Sequence, residues 1–192
     1  MFARVRVCSM PSPAAPKAAA RNIFRRFRRN RRGSAAVEFA LVAPLFFALL
    51  FAIIETAIMF FASQVLETVT QNSARQILTG QAQGANYPQW SNFRDGVVCA
   101  QIPALFTCPQ VYVDVKSYPA FQNITINSQI DANDNFDPTT LTYNPGGPGN
   151  IVVVRLFYQW PLFVTGLGYN ISNLTGNKRL LVATAAFQNE PY

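Results

Sequence analysis

The sequence predicts an α+β protein, with a long N-terminal transmembrane helix that extends outside the membrane and is followed by a small antiparallel β-sheet domain. A nearly continuous apolar run covers residues 39–62 of the 192. Ten of the 16 Lys and Arg residues precede it in residues 1–33, without any Asp or Glu. After it come short alternating or β-branched runs separated by turn residues, as is typical of strands.

The apolar run is long enough to cross a membrane, because about 20 such residues span the hydrocarbon core. Basic flanks stay on the cytoplasmic side, so we expect one span with a cytoplasmic N-terminus and an exported C-terminus. The alternative is a cleaved secretory signal, whose apolar region is roughly 7–15 residues long and ends in small residues. A basic run can also bind nucleic acid. Because an apolar run adjoins it here, we expect the lipid bilayer as a partner and no nucleic acid.

The helix is predicted to continue beyond the membrane. Apolar residues at helical spacing extend from Val65 to Leu78, and Gly80 follows. A helix from about Ala36 to Thr79 is on the order of 65 Å long at 1.5 Å per residue. The expected division is a basic cytoplasmic leader (1–33), the helix (34–79) and the exported domain (80–192).

Four strands are predicted in the exported domain. Residues 111–116 alternate between Val and other residues, and residues 151–160 form the strongest candidate. Residues 121–130 and 180–187 are the other two. A Pro- and Gly-rich segment, residues 144–150, is a turn by composition.

The junction of the leader and the helix carries a recognisable motif, RRGSAAVEF at residues 31–39. It resembles the processing site of type IV prepilins, in which a prepilin peptidase cuts after the Gly. This resemblance implies cleavage after Gly33, with Ser34 as the new first residue. Gly33 as a flexible residue before a helix is the plainer alternative.

With the FALVAPL that follows, the motif resembles more narrowly the TadE-like family of tight-adherence (Flp-type) pilus assembly proteins, over about residues 32–62. The resemblance implies a minor pseudopilin or assembly factor in the bacterial inner membrane, which acts by helix packing. Its partners would be other pseudopilins, the pilus assembly machinery and prepilin peptidase. The alternative is a permanently anchored periplasmic binding or scaffold protein that is not processed.

The resemblance also points to three assembly residues, Glu38, Phe39 and Glu55. A charged side chain in a span costs about 2.5–3.5 kcal/mol, so Glu38 needs a partner or a position near the interface. The resemblance to pilins implies that this partner is the Ser34 amine of a neighbouring subunit. A Glu38 that snorkels to the interface is the alternative. Glu55 lies roughly 25 Å further along the helix, where it either reaches water or contacts another subunit.

The remaining polar features indicate no enzyme, cofactor or metal. The chain has no His, which excludes Ser-His-Asp and Cys-His catalysis. Cys99 and Cys108 are predicted to form a disulfide in an oxidising compartment, with two unpaired thiols as the alternative. Asp131 to Asp137 spaces oxygen ligands as a calcium loop does, but it lacks the Gly at the sixth place and the acidic twelfth residue. A solvated polar turn is therefore expected there.

Cleavage after Gly33 is the first testable prediction. In cells with an active prepilin peptidase, the membrane-extracted protein should begin at Ser34 and lack all ten basic residues of the leader. Intact mass and N-terminal sequencing decide this. A product that retains the Arg run would reject the pseudopilin interpretation and favour the permanent anchor.

Overall fold

The structure is a computed structural model that describes residues 33–164 and 169–192. Helix α1 occupies Ser34–Leu78 and contains Pro44, which agrees with the predicted helix to within two residues at each end. Gly33 precedes it in a 3₁₀ conformation. The predicted basic leader before Gly33 lies outside the described residues.

The end of α1 is formed by a glycine and by the C-terminal tail. The chain turns at Gly80, whose φ is +78°, a conformation that glycine adopts without strain. A Cβ at this position would also lie 2.5 Å from the ring of Tyr192. The backbone N–H of Glu190 donates to the carbonyl of Leu78 at 3.1 Å, so the tail satisfies one of the open carbonyls of the helix end.

Short elements connect α1 to the sheet. Helix α2 covers Gln81–Gly84, and helix α3, Trp90–Phe93, continues into a π-helical turn at Arg94–Val98. A 3₁₀ turn at Cys108–Gln110 leads directly into the first strand.

Three antiparallel strands form the sheet in the order β1-β2-β3. They are β1 (Val111–Tyr118), β2 (Ile151–Pro161) and β3 (Lys178–Gln188). Val111 pairs with Tyr158 in the first ladder, and Ile151 pairs with Gln188 in the second. The predicted α+β class and three of the four predicted strands are confirmed.

The predicted strand at residues 121–130 is wrong. A 3₁₀ turn occupies Phe121–Asn123, and only an isolated bridge joins Ile130 to Phe136. The outer edge of β1 is already used, because Val115 exchanges backbone hydrogen bonds of 2.8 Å with Thr142 and Asn144. A strand at 121–130 would therefore have no position beside β1.

One face of the sheet packs on α1. The helix contributes buried side chains at roughly helical spacing, and the strands contribute alternate residues. The cluster includes Met59, Ala62, Leu66, Val69 and Ile77 of the helix with Val111, Val113, Val115, Val152, Val154 and Leu156 of the sheet. The Val face predicted for β1 is the face that contacts the helix.

The opposite face of the sheet is also covered, which explains why β2 is almost continuously apolar. Phe157 packs there with Leu141, Leu174 and Leu180. The same face carries a buried ion pair between paired residues of β1 and β2. Asp114 and Arg155 are 1% and 5% exposed, and Arg155 Nη2 lies 2.6 Å from Asp114 Oδ2.

The ion pair also fixes the segment that covers this face. Arg155 Nη1 donates to the carbonyl of Asn127 at 2.9 Å. The backbone N–H of Thr142 donates to Asp114 Oδ1 at 2.9 Å. Since both residues belong to the long β1–β2 connection, the pair joins that connection to the middle of the sheet.

Substitution of Arg155 tests this role. Arg155→Met leaves the buried Asp114 carboxylate with the Lys116 ammonium, 3.6 Å from its Oδ2, as its remaining cation. We therefore expect the free energy of unfolding to fall by about 3 kcal/mol, the lower end of what the loss of one partner of a buried pair costs. The double variant Asp114→Leu/Arg155→Met removes both charges and should lose less than Arg155→Met alone. Denaturant unfolding in detergent, followed by near-ultraviolet circular dichroism, measures both losses.

The matched control is the surface pair of Arg94 and Asp95, in which the Asp95 side chain is 60% exposed. Asp95→Asn should change the free energy of unfolding by about 0–1 kcal/mol. Equal losses in this control and in Arg155→Met would show that the buried pair does not hold the sheet.

Candidate functional site

The N-terminal flank of α1 carries four of the residues that the sequence singles out. Gly33 is exposed, and a Cβ added to it would meet nothing within 4 Å. The helix begins at the next residue, Ser34. Glu38 and Phe39 are exposed on the first turns of the helix. The predicted cleavage bond therefore lies at the boundary between a 3₁₀ residue and the helix.

The surface of α1 changes in character along its length. Among the described residues, one helix, Ala35–Leu78, is long and apolar enough to cross a membrane, and none of the apolar 18-residue stretch that qualifies it is buried. The last large apolar side chain that α1 exposes is Phe61. Beyond it the exposed positions are polar: Gln64, Thr68, Gln71, Asn72 and Arg75.

Glu55 lies within the apolar part of α1 and is only 8% exposed. One carboxylate oxygen accepts a hydrogen bond from the backbone N–H of Phe163, and the other accepts one from Val164 at 3.0 Å. Successive backbone N–H groups form a favourable site for an anion. The expectation that Glu55 reaches water is therefore wrong, because the segment after β2 encloses its carboxylate.

The next helix residue binds the same part of the chain. The Thr56 hydroxyl donates to the carbonyl of Ala52 at 2.8 Å and is hydrogen-bonded to the hydroxyl of Tyr169. Because the Thr56 proton is used, Tyr169 is the donor in this second bond. Glu55 and Thr56, which are adjacent on the helix, thus bind Phe163 and Val164 on one side of positions 165–168 and Tyr169 on the other.

Sequence reasoning missed this attachment, although one signal was present. The apolar run of β2 continues after Pro161 as Leu162, Phe163 and Val164. A strand that ends at a Pro and is followed by three more apolar residues indicates a segment that packs on something apolar. The buried carboxylate that it covers has no local signature.

The two cysteines of the domain are joined. Cys99 and Cys108 form a disulfide with a Cα–Cα distance of 5.6 Å, which fits the usual range. It connects the end of the π-helical turn to the start of β1. Asp95 completes a group that could otherwise hold a metal ion, but sulfurs in a disulfide offer no thiolate ligand.

The loop at Asp131 uses its oxygens within the turn. Asp131 Oδ1 accepts hydrogen bonds of 2.8 Å from the backbone N–H groups of Asn133 and Asn135. The bond from Asn135 is the main reason that the pKa of the Asp131 carboxyl lies below its ordinary value. The arrangement is an Asx-type turn at an exposed position.

Comparison with known proteins finds a similarity in the helical part of the chain. The family model described as TadE-like protein matches residues 33–75, the family that the sequence resembles, and so confirms that resemblance over Gly33 and most of α1. This match suggests a part in the assembly of Flp-type pili. No curated protein and no solved structure matches the chain significantly.

Substitution of Glu55 tests how the segment after β2 is held. Hydrogen bonds to a charged group contribute about 1.5–3 kcal/mol, which corresponds to roughly 10- to 100-fold in an equilibrium constant. In Glu55→Ala, the amide hydrogens of Phe163 and Val164 should therefore exchange faster by about that factor. Hydrogen-exchange mass spectrometry of the full chain in detergent measures the rates.

Glu67→Ala provides the control, since Glu67 is on the same helix, further from the segment. It should leave the exchange of Phe163 and Val164 unchanged. The same acceleration in both variants would mean that the helix as a whole has loosened and that Glu55 has no special role.

Proposed function

We propose that the chain is a minor pseudopilin or assembly factor of a Flp-type adhesion pilus. It is inserted in the bacterial inner membrane, with its N-terminus in the cytoplasm and its sheet domain in the periplasm. The observation that carries this proposal is the TadE-like match over residues 33–75. This range contains the candidate cleavage site and the apolar helix.

Two features support the orientation. The basic residues of the leader favour retention of that flank in the cytoplasm. The disulfide between Cys99 and Cys108 lies in the domain on the other side of the apolar run, and disulfides persist in oxidising compartments such as the periplasm.

The mechanism is lateral packing of α1 against helices of other subunits. The exposed apolar side chains of the helix can contact either lipid or a neighbouring apolar helix. Replacing lipid contacts by helix contacts therefore costs little hydrophobic free energy. Specific pairing then requires a polar contact. Cleavage after Gly33 would create an α-amine at Ser34, about one helical turn before the exposed Glu38.

The amine and the carboxylate together set the register of assembly in this mechanism. The Ser34 amine that cleavage creates is a charge in the apolar layer, where it is costly without a partner. Pairing of Glu38 in one subunit with the Ser34 amine of the next compensates both charges at one relative height of the two helices. Phe39, which is 68% exposed, lies next to the pairing group and adds apolar surface.

Glu38→Ala tests the mechanism. The variant should still be cleaved after Gly33 and should insert at least as well as the wild type, because a charge has been removed from the span. It should lose crosslinking to pseudopilin partners and pilus-dependent adhesion, and Glu38→Asp should retain part of both. Crosslinking in membranes and an adhesion assay provide the measurements.

Glu67→Ala is the matched control, and it should leave processing, crosslinking and adhesion unchanged. Glu55 is unsuited to this purpose, because its carboxylate holds the sheet domain. Normal crosslinking and adhesion in Glu38→Ala would reject Glu38 as the pairing residue.

A further inference from the structure

The exposed face of α1 indicates where the hydrocarbon layer ends. Large apolar side chains, including those of Phe60 and Phe61, are exposed up to residue 61. The exposed positions from Gln64 onward are polar. If α1 is the span that the proposed function requires, the outer boundary of the hydrocarbon layer lies near Phe61.

The segment after β2 contacts the helix on the membrane side of this boundary. The backbone N–H groups of Phe163 and Val164 bind the carboxylate of Glu55. Glu55 precedes Phe61 by six residues, or about 9 Å at 1.5 Å per residue. Phe163 is therefore at a depth where the exposed face of the helix meets acyl chains.

The side chain of Phe163 is free to contact lipid at this depth. It is 86% exposed, which is unusual for a Phe in a folded domain. Residues 156–177 contain no Lys, Arg, Asp or Glu. The segment thus brings an apolar side chain to the membrane without any charge beside it in the sequence.

The backbone N–H groups of the segment are satisfied within the protein. Non-helical backbone at membrane depth must have its polar groups satisfied within the protein. The N–H of Leu162 donates to the carbonyl of Asn177 at 2.9 Å. The next two N–H groups donate to Glu55, so three successive donors are bonded.

We infer that the segment Leu162–Val164 enters the acyl-chain layer of the periplasmic leaflet beside α1, with Phe163 in contact with lipid. The partner is the hydrocarbon part of phospholipid, and this inference rests on the proposed membrane span. The segment forms a second lipid contact for the exported domain. The Glu55 carboxylate enables this contact, because it satisfies the N–H groups that lipid cannot.

Spin labelling of the full chain in vesicles of phosphatidylethanolamine and phosphatidylglycerol tests the inference. Cys8→Ser removes the cysteine outside the disulfide, and a nitroxide is then attached through Phe163→Cys. Power saturation compares collisions of the nitroxide with oxygen, which concentrates in lipid, and with a water-soluble nickel chelate. We expect oxygen accessibility to exceed nickel accessibility several-fold.

Two further labels calibrate the result. Leu49→Cys lies on the apolar part of α1 and is 62% exposed in the wild type, so it should also favour oxygen. Phe121→Cys follows β1, beyond the Tyr118 end that pairs with the start of β2. Phe121 is 61% exposed and lies at the opposite end of the sheet from Phe163, so its label should favour nickel.

The outcomes separate the inference from the proposed function. A label at 163 that favours nickel, with the label at 49 favouring oxygen, overturns the lipid contact and leaves the span intact. A label at 163 that is closed to both reagents means that protein covers this position, which also overturns the inference. A label at 49 that favours nickel removes the span itself, and with it both proposals.

Discussion

Over part of its length, helix α1 packs on the sheet domain with one face and keeps an exposed apolar surface on the other. The fold depends on this division of the helix faces. Between Glu55 and Ala62, one face of α1 packs on the sheet domain while the other remains apolar and exposed through Phe61. A helix can do this because residues on opposite sides of one turn meet different neighbours. The folded domain therefore begins before the apolar surface of the helix ends.

The Glu55 carboxylate and the segment after β2 satisfy each other within this zone. A buried carboxylate needs donors, and a non-helical backbone in apolar surroundings needs acceptors. At its other end the sheet domain is attached through Glu190, which donates to Leu78. Glu55 and Leu78 are about 34 Å apart along the axis of α1. This is close to the roughly 33 Å that the 11 residues of β2 span. Attachment at both ends prevents the sheet from sliding along the helix.

This rigid attachment has a consequence for assembly. The sheet domain covers one face of the second half of α1, and the apolar side chains on its remaining surface stay exposed. The TadE-like match ends at residue 75, near the end of α1, so the part of the chain that resembles this family is the helix with its N-terminal flank. In the proposed mechanism, the helix inserts in the membrane and pairs with other subunits. The sheet domain moves with it as one folded unit, which the Asp114–Arg155 pair stabilises.

The sequence by itself determined the helix and three strands, and it predicted the pairing of Cys99 with Cys108, because these depend on apolar periodicity, composition and short spacing. Only the tertiary structure decided the polar contacts and the strand pairing that involve residues distant in the sequence. Glu55 was expected at water or at a subunit contact, and it is bound by backbone groups 108 and 109 residues away. Asp114 alternates with valines in the sequence, and no local pattern indicates its buried pair with Arg155 of the neighbouring strand. Residues 121–130 have strand-like composition, but the edge they would need is occupied by Thr142 and Asn144. A local sequence pattern specifies which faces of a helix or strand are apolar. The packing of segments distant in the sequence decides which polar groups bind each other and which strand edges remain unpaired.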